Sequence, residues 1–381
     1  MTRTPPPARK LTIRHITALV GDDGAYGGPV SVATGQLGEL RARGHDGALL
    51  SLWRGRGPVP AGVDGVPLIA VRARTLVPGM GFLGLLNPRL LRLLWREAGR
   101  ADVLHLHAGR DLVSLAALAV ARLRRTPYLA QTHGMVQPRS GPVARLFDRV
   151  YVPLLRGARA CLVLTEEEQC GLAAVFDGRH PPLLRLANGV RARRGAAAGD
   201  PTLVLYLARL QTRKRPDAFV AAAALLADRR PGLRFVLHGA DEGALPAVER
   251  AITAQRLESS VRYGGPLAHE AALDRLAEAS VYVLPSVDEP FPMSVLEALA
   301  GGTPVVMTSS CGIAAELAST GAALVTDGTP AALADAVERL LTDDDLRSRT
   351  VAAGHAAVAG AFSLSAVADR LTAHYTEALR Q

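Results

Sequence analysis

Residues Val287–Gly302 read VDEPFPMSVLEALAGG and set two glutamates, Glu289 and Glu297, eight positions apart across the point where a loop becomes a helix. Just upstream, SVYVLP at Ser280–Pro285 is short and apolar and predicts a buried strand. Pro292 suits the first helical position, where a missing N–H costs nothing. The helix then runs from about Met293 to Ala300 and stops at Gly301 and Gly302. A strand feeding a helix start in an α/β sheet offers unpaired N–H groups and the positive dipole end, so Met293, Ser294 and Val295 suit an anion such as a diphosphate. Glu297, one turn into that helix, would repel phosphate but suits a neutral diol such as the 2′ and 3′ hydroxyls of a ribose. Glu289, on the loop, then faces whatever lies beyond the phosphates.

A second segment points the same way. LVLYLARL at Leu203–Leu210 predicts a strand, QTRKRPD follows, and an alanine-rich helix spans about Ala218 to Leu226. Of 44 basic residues only Lys10 and Lys214 are lysine, and Lys10 sits in the amino-terminal arm. A chain this biased towards arginine that keeps one lysine in its folded part needs a compact ammonium there, where a planar guanidinium would not fit. Further strand-and-turn segments are FVLHGADEG from Phe235, VRYGGPL from Val261, the first strand and glycine turn around Gly27 and Gly28, and a strand that leads to THG at Thr132–Gly134.

The E-x7-E spacing and the order of these segments resemble the family 4 retaining glycosyltransferases, which have the GT-B fold. That resemblance implies two doubly wound, Rossmann-like parallel-sheet domains facing a cleft, with a C-terminal helix that crosses back to the first domain. It makes Arg209 and Lys214 the cations on a leaving diphosphate, sets His133 against the transferred sugar, and places Glu289 at the sugar. Nucleotide-sugar contacts fall to Gly27, Gly28, Asn188, Gly239, Pro266, Leu267, Phe291, Met293, Ser294, Val295 and Glu297. The chain departs from the pattern in three places. Pro290 and Pro292 stand where glycines are usual, which leaves Phe291, Met293 and Ser294 as the N–H donors there. Arg191 follows Asn188-Gly189-Val190 where aspartate is common.

At 381 residues the chain is too long for one ordinary core and suits two α/β domains. The expected division is an arm at 1–10, an acceptor domain at 11–190, a linker at 191–200, a nucleotide-sugar domain at 201–360, and a returning helix at 361–381. Val367, Leu371 and Tyr375 give that tail its helical period. Three cysteines without a C-x-x-C indicate neither a disulfide framework nor a zinc ribbon. MTRTPPPARK lacks an apolar signal core, and the apolar run at Leu112–Ala121 is shorter than the roughly 18 residues a spanning helix needs, so a cytoplasmic location is expected. His105 and His107 alternate on one strand and share a face, but no third ligand at metal spacing accompanies them, so they read as strand residues near a cleft. TEEEQ at Thr165–Gln169 and TDDDL at Thr342–Leu346 read as capped helix starts. No metal and no cofactor beyond the nucleotide sugar are expected.

Charge is uneven. Met1–Gly195 carries 28 Lys+Arg against 13 Asp+Glu, a net of +15, while the remainder is at −6. Arg89, Arg92, Arg96 and Arg100 fall at helical spacing beside Leu90, Leu94 and Trp95, a stripe that suits either a packed helix with a solvated arginine face or a helix lying on an anionic bilayer. Low aromatic content and the lack of a nucleic-acid motif argue against a nucleic-acid partner. The expected activity is transfer of a sugar from a nucleotide diphosphate sugar to a sugar, glycan or lipid-linked acceptor, as in polysaccharide biosynthesis. A sugar phosphorylase, a nucleotide-sugar epimerase and a catalytically silent nucleotide-sugar binder are the alternatives.

Overall fold

The computed structural model describes residues 9–21, 27–193 and 199–380. Most of the expected arm, the loop at 22–26 and the middle of the expected linker, 194–198, lie outside the described residues. The chain forms two compact units, one of Met1–Asn188 with Leu364–Gln381 and one of Gly189–Ser363.

The first unit is built on an eight-stranded sheet. Its strands are β1 (Thr12–Gly21), β2 (Asp46–Arg54), β3 (Gly62–Val63), β4 (Val66–Arg72), β5 (Val103–His107), β6 (Tyr128–Gln131), β7 (Ala160–Val163) and β8 (Leu183–Arg185), in the order β3-β4-β2-β1-β5-β6-β7-β8. Only the β3–β4 pair is antiparallel. Successive strand residues feed opposite faces. Leu104 and Leu106 of β5 pack with Leu90, Leu94 and Leu118 of two helices on one side. Val103 turns to the other side, where Ile13 and Leu49 meet Val367, Leu371 and Tyr375 of the helix Leu364–Arg380. The helix Leu364–Arg380, whose period is legible in Val367, Leu371 and Tyr375, therefore belongs to the first unit, as the family resemblance implies.

The second unit carries a six-stranded, all-parallel sheet. Its strands are β9 (Asp200–Leu207), β10 (Arg234–His238), β11 (Val261–Tyr263), β12 (Ala279–Leu284), β13 (Val305–Thr308) and β14 (Leu324–Thr326). The order is β11-β10-β9-β12-β13-β14, so the winding reverses between β9 and β12. Ligands bind in such sheets outside the carboxyl ends of the strands that flank the reversal. Here those ends lead into Ala208–Arg215 and Pro285–Pro292, the two segments singled out from the sequence.

Candidate active site

In the second unit, Lys214 and Glu289 leave neighbouring strands at the winding reversal and meet. The Lys214 ammonium donates to Glu289 Oε2, and each side chain is only 12% exposed. Arg213 stands 3.8 Å from the same carboxylate oxygen and donates at 2.9 Å to the carbonyl of Asp288. The loop is tied down on both sides, by Val287 N–H to the Arg213 carbonyl and by Gly312 N–H to the Glu289 carbonyl, each at 2.9 Å. Asp288 adopts a φ of +50°, a conformation that non-glycine residues rarely hold outside sites that over-determine them. Burial lowers the Lys214 pKa, Glu289 opposes that, and Arg213 and Arg209 reinforce it. Arg209 itself is half exposed and pairs with Glu242 at 2.7 Å.

The helix after the loop spans Met293–Ala300 and ends at Gly301. Two expectations about its start need correction. Pro292 is the N-cap residue and not the first helical one, because its ψ of 99° is extended. Val295 N–H is already used, closing a tight turn onto the Pro292 carbonyl at 3.2 Å, which leaves it unavailable to an anion. Ser294 also shares a 2.7 Å hydrogen bond with Tyr282. Phe291 is buried edge-on against Phe362, with ring centroids 6.1 Å apart. Glu297 is half-buried, and among the described residues its carboxylate makes no hydrogen bond or ion pair. Burial raises its pKa against the pull of His269 and Arg193. An unpaired carboxylate next to a helix start is an acceptor waiting for hydroxyl donors.

Gly239 follows β10 with a φ of +149°, and a Cβ there would come within 1.9 Å of the Ala208 carbonyl oxygen. Only glycine lets the two loops approach this closely. Pro266 is exposed and Leu267 half-buried beyond β11, on a segment anchored where His238 bonds the Gly265 carbonyl at 3.0 Å.

In the first unit, His133 follows β6 with a φ of +51°, and Gly134 follows at +75°. Buried Glu168 clamps this turn, a role the sequence did not suggest. It accepts from the Thr132 hydroxyl and Gly134 N–H, both at 2.5 Å, and from Leu164 N–H at 2.7 Å. The TEEEQ reading therefore captured only part of Glu168, whose N–H is capped by Thr165 at 3.2 Å.

The histidines require a second correction. His15, directly opposite His105 in the β1–β5 register, supplies the third imidazole that the sequence spacing did not show. Nitrogens of His15, His105 and His107 lie within 4.8 Å of one another, and all three rings are buried. Asn188, among the expected nucleotide-sugar contacts, is buried and accepts from Gln131 at 3.1 Å. Gln131 in turn accepts from Gln36 at 3.2 Å. Gly27 opens the first helix, and among the described residues nothing lies within 4 Å of the position a Cβ would take at Gly28.

One mostly parallel sheet and one all-parallel sheet, the latter with a cation and two glutamates at its winding reversal, place a candidate site where doubly wound sheets bind their ligands. The family model for group 1 glycosyl transferases matches residues 191–356, and that of the glycosyl transferase 4-like domain matches 27–189. A D-inositol 3-phosphate glycosyltransferase of Frankia alni is 30% identical over 74% of this chain and 76% of its own. An alpha-D-kanosaminyltransferase of Streptomyces kanamyceticus is 30% identical over 84% and 86%. The structure of Anabaena HepE in complex with UDP superposes with a TM-score of 0.74 at 17% identity, covering 96% of this chain and all of that one, and shows the GT-B fold in common. The chain belongs to the group 1, family 4 glycosyltransferases and has their nucleotide-sugar transferase activity.

Proposed function

We propose that the enzyme transfers a sugar with retention of the α configuration, without a metal ion, to an acceptor bound mainly by the first unit. The observation that carries this reading is the buried Lys214–Glu289 pair at the winding reversal, with unpaired Glu297 one turn into the helix that follows. Lys214, Arg209 and the N–H groups of Met293 and Ser294 supply positive charge to the departing diphosphate, the role a metal ion would otherwise fill. The bond from the anomeric carbon to the diphosphate oxygen breaks, the acceptor oxygen bonds that carbon on the same face, and its proton passes to a phosphate oxygen. In the second unit Glu289 faces the sugar and Glu297 the ribose; in the first, His133 is read as a sugar contact. UDP in the HepE structure supports uridine donors as the first to try. A panel of nucleotide sugars without added metal is expected to show slow donor hydrolysis that EDTA leaves unchanged. Strict metal dependence, or product of inverted configuration by NMR, would sink the reading.

A lipid-linked acceptor on an anionic membrane face is the second part of the proposal. Its support is the +15 charge of the amino-terminal half and the outward face of the helix Pro88–Ala98. The structure changes which apolar residues share that face. Leu90 and Leu94 are core residues, and the exposed ones are Leu91 and Trp95, with Arg124 stacked 4.8 Å over the Trp95 ring. Arg96 and Arg100 are partly neutralised by Glu97, at 3.0 and 3.6 Å. The helix Pro142–Arg156 adds exposed Val143, Leu146 and Val150 beside Arg145 and Arg149. No helix among the described residues is long and apolar enough to cross a membrane. Each arginine at an anionic surface contributes about 1 kcal/mol, enough for reversible binding. In flotation with anionic vesicles at low salt the protein is expected to rise with the lipid, whereas Arg92→Glu with Arg149→Glu stays behind and keeps its donor hydrolysis. A wild type that ignores such vesicles points to a soluble acceptor.

A further inference from the structure

We propose that Tyr375, His15 and His107 are positioning residues, forming a proton-ordered relay that fixes which ring nitrogen of His133 carries its hydrogen. The inference rests on the reading of His133 as a sugar contact. An unbroken hydrogen-bonded chain crosses the sheet of the first unit. His105 Nδ1 meets the Tyr375 hydroxyl at 2.6 Å, and that hydroxyl meets His15 Nε2 at 3.0 Å. His15 Nδ1 meets His107 Nε2 at 3.0 Å, and His107 Nδ1 meets His133 Nε2 at 2.8 Å.

Burial holds His15 and His133 down to about 3, lowers His105 and His107 well below the usual histidine range, and raises Tyr375. All five groups are therefore neutral near pH 7, and each brings one hydrogen. A neutral imidazole donates from one nitrogen and accepts at the other, so reversing one bond reverses them all. Only two settings satisfy the whole chain. In one, His133 presents Nδ1–H; the other leaves that Nδ1 bare and puts a hydrogen on His105 Nε2, a buried atom with no hydrogen-bond partner among the described residues, so the first is the setting the chain favours and Tyr375 is what passes that preference on from His105. Its Nε2 is spent on His107 in both, so the relay decides whether His133 donates to a sugar hydroxyl or accepts from it.

A metal ion among these rings is the competing reading, and the geometry disfavours it. His105 and His107 stack with planes 6° apart and centroids 4.7 Å apart, so their in-plane lone pairs run side by side and do not converge. His15 already spends both nitrogens on His107 and Tyr375.

The test is NMR on the full chain carrying 15N-histidine. The wild type is expected to show couplings across the His15–His107 and His107–His133 hydrogen bonds, with His133 in a single tautomer. Tyr375→Phe, which removes only the hydroxyl, is expected to leave His133 as a tautomer mixture. It should lower kcat about 10-fold, the usual cost of losing an orienting partner, with KM for the donor unchanged. Missing couplings in the wild type overturn the relay, and this readout stands even where the variant does not fold. So does an unchanged His133 tautomer in folded Tyr375→Phe, or stoichiometric zinc on the purified protein. Undiminished turnover in His133→Ala overturns the sugar contact instead, and with it the catalytic use of the relay.

Discussion

Lys214→Ala should lower turnover at least about 100-fold, since removing one preorganised charge from a developing anion costs on the order of 3 kcal/mol. The structure sharpens the reason. Lys214 is one of only two lysines in the chain, and its ammonium is nearly buried against Glu289 at the winding reversal. A donor diphosphate arriving there finds a cation whose solvent has already been stripped and whose position is fixed, so little reorganisation remains at the moment of reaction. Arg209 is half exposed and engaged by Glu242, so its removal should cost less than that of Lys214. Lys214→Arg keeps the charge and isolates shape. A planar guanidinium does not fit the space of a compact ammonium, and turnover should still fall, by roughly 10-fold or more. Removing the ammonium also leaves Glu289, among the described residues, with only Arg213 at 3.8 Å, so some loss of melting temperature accompanies the kinetic effect. Circular dichroism separates the two. Wild-type turnover in a folded Lys214→Ala protein would end the assignment.

Much of this site was legible because it is local. The helix from Met293 to Ala300, its glycine stop and the strand before it are set by neighbouring residues, and the isolated lysine was visible in the composition. What could not be read depends on pairing between distant strands. His15 lies ninety positions from His105, and only the parallel register of β1 on β5 brings them together. Glu168 looked like a helix-start carboxylate. Its reach to Thr132 and Gly134 requires β6 and β7 to be neighbours, which a single sequence does not fix. Asn188 followed a family pattern, yet in this chain its amide oxygen is held by Gln131. Val295 shows the same limit at short range, since a tight first turn consumes an N–H that an ideal helix would leave free.

Glu297→Gln should weaken nucleoside diphosphate binding while stabilising the fold, two effects of opposite sign from one oxygen-to-nitrogen change. The carboxylate is half-buried and, among the described residues, has no hydrogen-bond or ion-pair partner; burial raises its pKa despite the nearby Arg193 and His269. A carboxyl whose folded pKa is raised binds its proton more tightly folded than unfolded, so it takes stability away as the pH rises through that interval. The glutamine variant should therefore melt higher than the wild type at pH 8, with the gap closing towards pH 5. The same ionised oxygens are the acceptors proposed for the ribose hydroxyls. Losing a charged acceptor costs about 1.5–3 kcal/mol, roughly 10- to 100-fold in the nucleotide Kd. Glu289→Ala should behave in the reverse way, sparing nucleotide affinity but losing transfer, because the role proposed for its carboxylate, which meets Lys214, is at the sugar. Calorimetry with UDP and thermal melts on both variants separate these outcomes. Unchanged affinity in Glu297→Gln, or a melting temperature below wild type at pH 8, would show that Glu297 is an ordinary structural carboxylate.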